Sequence, residues 1–377
     1  MECGILAPLL ITTAELLVTN LQEVANFNLP RVHTAGATQN RQQIFVVALI
    51  ACVAVSALFA TLLPLQVSIV TVFLFAGPHN WFELRYFLQR LPVRFGKSRN
   101  FFITAFVGLG LLTAAYVSMP FIFASGSWSE QSWLSILATW NSIMLLWVAT
   151  LIWLRGRQKH RNWSLSFAVA FAVSAANWLA PELFSLAIVY LHPLVALWFL
   201  DRHLVRNRPS WVKSYRRSLV LIPVALSLII WRLSQAPSLA DNNGLFWRIT
   251  QHSGADLLPA ISSHLLVTVH LFLEILHYAV WLLALPLIGR AGAKAFSTLQ
   301  ASKQTESQGL SLIATIPVAR HSRGFPKLIG SFLLLGIAAV VMLWVGFSID
   351  YSTTRDIYFT VAIAHVLAEA PFLLKMI

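Results

Sequence analysis

The chain has 377 residues, of which 58% are hydrophobic and only 11% charged, with a formal net charge of +13 and a mean hydropathy of +0.71. That composition predicts a polytopic membrane protein of the all-α class, a transmembrane helix bundle with little room left for a soluble domain. The two cysteines, Cys3 and Cys52, form no spaced pair and say nothing about redox compartment.

In chain order, residues 1–42 read as a cytoplasmic amphipathic N-terminal segment, and residues 43–377 as a single transmembrane domain. Met1 to Thr19 is apolar but contains Glu2 and Glu15 and lacks a basic start, so a surface helix is expected there rather than a signal peptide. Apolar stretches of spanning or near-spanning length follow at 43–63, 66–84, 101–124, 132–154, 163–180, 182–200, 217–233, 264–288, 327–348 and 357–376. They predict about ten spans. The stretch from Arg290 to Pro326 is rich in Ser, Thr, Gln and Gly and reads as a loop. No internal repeat or glycine-rich phosphate loop is evident.

The connections alternate in charge. Arg85, Arg90, Arg94, Lys97 and Arg99 follow the second stretch, and Arg155, Arg157, Lys159 and Arg161 follow the fourth. Arg202, Arg206, Arg208, Lys213, Arg216 and Arg217 follow the sixth, and Arg290, Lys294, Lys303, Arg320, Arg323 and Lys327 the eighth. The other connections hold almost none beyond Arg232, Arg248 and Arg355. Basic short loops stay cytoplasmic, so both termini are expected there. Topology and contact with anionic membrane lipids then account for the positive charge without a nucleic-acid partner.

Three times a histidine is followed four residues later by a glutamate within an apolar stretch: His79 with Glu83, His270 with Glu274, and His365 with Glu369. A spacing of four puts both side chains on one helix face. His277 extends the second pair into a stripe of three ionisable groups, which is more than packing requires and is expensive in lipid. His192, directly before Pro193, lies in the sixth stretch. All five histidines fall on even-numbered stretches, which run from the outer face inward. Counting about 1.5 Å per residue places His192 and His365 near mid-membrane and His79 and His277 slightly deeper, so they could meet at one level; Glu83 lies closer to the cytoplasmic surface. Asp201, His203, Asp350, Asp356, His264, His33, His160, His252 and His321 read as loop or membrane-edge residues.

Imidazole nitrogen with carboxylate oxygen suits iron, manganese or zinc, and a histidine-rich site with open positions is the usual home of oxygen-activating non-haem iron. The expected metal ligands are His79, His192, His270, His277 and His365. Glu274 and Glu369 would bridge metal ions or orient imidazoles. Such a centre inside the bilayer reaches a lipid-soluble small-molecule substrate and shields reactive species from water. The clustered HxxxH and HxxHH boxes of fatty-acid desaturases and hydroxylases are absent. Two other classes fit the same residues: a proton-coupled secondary transporter using the His/Glu pairs as relays, and a b-type haem electron-transfer protein.

Gly77-Pro78-His79, with Glu83 four residues beyond the histidine, resembles the GxPHGxxD-like segment of the Brp/Blh family of membrane β-carotene dioxygenases. Here Asn80 replaces the glycine and Glu83 the aspartate, and His270, Glu274 and His277 match the family's later histidines only loosely. The resemblance covers about a tenth of the chain. It implies iron ligation by His79, His277 and His365, with His192 as a fourth ligand, and oxidative cleavage of a carotenoid.

Overall fold

The computed structural model describes residues 35–91, 96–126, 128–288 and 326–377, and among these every regular element is helical. The chain divides at Val47 into residues 1–47 and a larger unit, Ala48–Ile377. The surface helix expected in residues 1–19 and most of the loop expected at 290–326 lie outside the described residues. The helices are α1 (Ala35–Leu62), α2 (Pro64–Leu88), α3 (Arg99–Ala124), α4 (Glu130–Gln158), α5 (Leu165–Leu179) and α6 (Pro181–Asn207). They continue with α7 (Pro209–Ser218), α8 (Leu221–Leu233), α9 (Gly244–His252), α10 (Ser263–Ala279, prolonged by a π-turn at Val280–Ala284), α11 (Pro326–Ile349) and α12 (Tyr351–Met376).

Local chemistry sets the starts. Proline occupies the first turn of α2, α6 and α7, where its missing N–H costs nothing. Ser129, Asn243, Ser262 and Asp350 cap α4, α9, α10 and α12 by accepting from backbone N–H groups.

Each of the ten apolar stretches contains helix, but seven helices among the described residues are long and apolar enough to cross a membrane. The architecture is a polytopic helix bundle, and the count of ten is not reached by that measure. α5 has only 15 residues, short of the roughly 20 that a 30 Å core requires. The stretch at 217–233 is broken at Leu219–Val220 into α7 and α8. α2 is long, at 25 residues, but His79, Asn80 and Glu83 dilute its apolar character.

Indole N–H groups stitch neighbouring helices together. Trp140 and Trp147 of α4 each donate, at 3.0 Å, to a carbonyl of α3, those of Leu112 and Thr104. Trp81 of α2 donates to Leu333 O at 3.1 Å, and Trp344 of α11 returns the contact to Phe73 O at 2.9 Å. A helix carbonyl has a second lone pair to offer, and lipid provides no competing water.

The basic residues that follow the second, fourth and sixth stretches gather at one end of the bundle around the last turn of α12. Arg155 donates to Leu374 O at 3.1 Å and Lys375 O at 3.0 Å, Arg206 to Met376 O at 3.3 Å, and Lys375 to Arg90 O. Cations suit a helix C-terminus, where carbonyls lack intrahelical partners. Asp201 and His203 sit within this end and are buried, not solvated as expected from their position. Asp201 accepts from Arg216 at 2.7 Å and Arg202 at 2.7 Å, and His203 Nδ1 lies 3.0 Å from Arg90.

Candidate metal centre

Four helices carry the expected ligands, and each is irregular beside them. Pro78 precedes His79 on α2, Pro193 follows His192 on α6, and Pro371 lies two residues beyond Glu369 on α12. A proline inside a helix removes the hydrogen bond to the carbonyl four residues back and bends the axis. α10 has no proline beside His277, but its π-turn begins at Val280, three residues after His277, and runs into Pro286. π-turns recur at functional sites because the extra residue re-aims the neighbouring turn.

The irregular turns bring His79, His192, His277 and His365 together. Ring centroids are 5.3 Å apart for His79 with His277 and with His365, 4.7 Å for His192 with His277, and 4.8 Å for His192 with His365. The ring nitrogens show which lone pairs are free. His79 Nδ1 lies 2.9 Å from Phe75 O. A carbonyl only accepts, so Nδ1 carries the proton and Nε2 presents a lone pair, which is buried without a partner.

His192 Nδ1 stands 2.9 Å from Glu369 Oε2, the carboxylate–imidazole pairing that orients a metal-binding histidine. Its Nε2 then faces His365 Nε2 at 3.0 Å. Two nitrogens bound at about 2.1 Å to a common ion stand about 3.0 to 3.4 Å apart, so that spacing matches shared ligation. Both nitrogens of His277, Nδ1 of His365, Oε1 of Glu369 and both carboxylate oxygens of Glu83 are likewise buried without partners.

The donor atoms fall into two groups that meet at His277: His79, Glu83, His277 and His365, and His192, His277 and Glu369, each with its atoms within 4.8 Å of one another. Glu83, expected nearer the cytoplasmic surface, is 1% exposed and belongs to the first group. Its four-residue spacing from His79 was the available signal. Unpartnered buried donors are costly, and a cation that collects them removes the cost, so the residues present fit a divalent ion.

His270 and Glu274 stand apart from these groups. His270 packs on Tyr190 at 5.7 Å and on His252 at 5.2 Å between ring centroids. Glu274 Oε1 accepts from Tyr278 at 2.6 Å, and the Tyr278 ring lies 4.6 Å from that of His79. His252, expected in a loop, closes α9 and is enclosed by His270 and Phe359, the latter at 4.1 Å. Arg355, close to that cluster on α12, is 4% exposed.

A cavity of about 280 Å³ joins these groups. Its polar wall includes the four converging imidazoles, His252, His270, Glu274 and Tyr278. The remainder is lined by Tyr116, Trp140, Ile188, Val189, Ile363 and Val366, with Asn141 and Ser185 among them. A largely apolar chamber with a few convergent polar groups is the usual form of a small-molecule site.

Comparison with protein-family models, curated proteins and solved structures gives no match, so the centre is read from its own geometry.

Proposed function

We propose that the protein is a membrane-embedded, metal-dependent oxidoreductase, with non-haem iron held by His79, His192, His277 and His365 and a carotenoid, isoprenoid or other lipid-soluble molecule as substrate. The observation that carries this reading is the convergence of four imidazoles from four helices on the wall of an apolar cavity, three of them with a buried, unpartnered nitrogen and the fourth, His192, oriented by Glu369. Iron bound there would supply oxygen activation. The basic end of the bundle would face the cytoplasm, with both termini on that side.

The chain's own contribution is positioning. Phe75 O fixes the His79 tautomer, and Glu369 orients His192. The apolar wall excludes water and holds a lipid beside the centre. Tyr278, hydrogen-bonded to Glu274 and stacked near His79, places an exchangeable proton at the cavity edge.

The 3.0 Å approach of His192 Nε2 to His365 Nε2 suits neighbouring ligands of one ion better than the ligand pair of a b-type haem. Detergent-purified protein should carry iron without a Soret band, and oxygen uptake in the presence of β-carotene or a lipid polyene should vanish on chelation. A Soret band would favour haem. A pH-gradient-driven flux that survives chelation would favour transport.

A further inference from the structure

The cavity has a second polar feature remote in sequence from the centre. Asn141 of α4 is fully buried, with 0% exposure. Its amide NH2 donates to Asn177 Oδ1 at 2.8 Å, Pro181 O at 3.2 Å and Ser185 Oγ at 3.3 Å. These partners lie on α5 and α6, so the NH2 is turned toward them. Oδ1 has no partner. Asn141 and Ser185 both line the cavity, as does Tyr116, whose ring packs on Trp140 at 4.9 Å. A buried amide oxygen without a donor is destabilising in lipid, where water is not at hand to satisfy it.

The spacing along α6 gives a ruler. Ser185 precedes His192 by seven residues, which is two turns or about 10 Å of helix. Ile188 and Val189 line the cavity between them. The chamber therefore has a donor-seeking oxygen at one end, an apolar middle, and the imidazole cluster at the other.

We propose that Asn141 Oδ1 receives the hydroxyl of a lipid alcohol, with the Tyr116 phenol as the complementary donor to the same hydroxyl oxygen, so that the substrate is an alcohol-bearing lipid anchored about two helical turns from the metal centre. The proposal rests on the functional reading above and narrows its substrate class. A pure hydrocarbon leaves Asn141 unsatisfied, and a site built to hydrogen-bond a hydroxyl discriminates against analogues that lack it. The fixed distance also selects which carbons reach the centre.

Binding of farnesol and of farnesyl methyl ether to the full-length, detergent-purified protein tests this, read by quenching of tryptophan fluorescence, since Trp140 lines the cavity. The ether keeps the oxygen as an acceptor and loses the donor. Farnesol should bind about tenfold more tightly than the ether, as one net hydrogen bond allows. Asn141→Leu should abolish that gap. Tyr116→Phe, which keeps the ring, should weaken both ligands several-fold, and this variant still tests the site if Asn141→Leu fails to fold. Equal affinity for the two ligands in the unaltered protein, or unchanged binding of both in Tyr116→Phe, would overturn the proposal. Metal content measured on the same samples separates the two readings. Metal present without alcohol preference overturns only the alcohol site, and alcohol preference without metal overturns only the oxidoreductase.

Discussion

At the scale of single residues, the two carboxylates expected to serve the centre have different tasks. Glu369 is 2% exposed and touches His192 directly, while Glu274 accepts from Tyr278. Glu369→Gln keeps volume but removes the anion that orients His192, and metal affinity measured by competition with a chelator should fall about 10- to 100-fold. Glu274→Gln should leave metal affinity much closer to that of the unaltered protein. The reverse order would mean that Glu274 reaches the ion. Spacing and depth made His79, His192, His270, His277 and His365 legible as one set with Glu274 and Glu369, because period and depth are properties of the sequence. They could not separate His270 from His277, which share a helix stripe. That distinction comes from His252, whose ring packs on His270 at 5.2 Å, and no local pattern marks His252 as packing there.

At the scale of elements, close packing is concentrated where tryptophan meets glycine. A Cβ at Gly108 would come within 2.0 Å of Trp147 Nε1, the group that ties α4 to Thr104 O of α3. Gly108→Ala should therefore cost about 1 to 3 kcal/mol through overpacking, seen as a lower melting temperature in detergent. Asp350 makes a separate pH-dependent contribution at the start of α12. The Thr353 hydroxyl and amide hydrogen-bond its carboxylate and hold its pKa below the ordinary value of 3.8. A depressed carboxylate pKa stabilises the folded state above that ordinary value, and the contribution is lost as pH falls through the lower folded value. Asp350→Asn should flatten this acid-side dependence, with a small drop in melting temperature at neutral pH and almost none at acid pH. Apolar length predicted where each helix lies, and the prolines beside His79 and His192 marked two of the bends. The break at Leu219–Val220 precedes Pro223, which cannot make the helical bond to Leu219 O, and the π-turn after His277 runs into Pro286, which cannot make the one to Leu282 O, so both irregularities had a proline signal in the sequence.

At the scale of the whole molecule, the alternation of basic loops agrees with the gathering of Arg90, Arg155 and Arg206 around the end of α12. Helices α2, α4, α6 and α12 thus end together, which puts the histidine-bearing faces of α2, α6 and α12 in the same direction and at the same level. If that end is cytoplasmic, cysteine at Asn242 should label from outside intact cells and cysteine at Ser210 should not; the opposite pattern would invert the assigned topology. The number of spans was less legible than their direction, because the 15-residue α5 and the broken α7–α8 pair satisfy a hydropathy reading without the length to cross alone.

Elemental analysis of purified variants tests most directly whether the two donor groups that meet at His277 hold a metal. His277→Ala removes the residue common to both donor groups and should lose most of the bound iron while the protein remains folded. His160→Asn changes an exposed histidine with a positive φ of 54°, a conformation asparagine tolerates, and should keep full occupancy. Equal iron content in both variants, or no stoichiometric metal in the unaltered protein, would contradict the account.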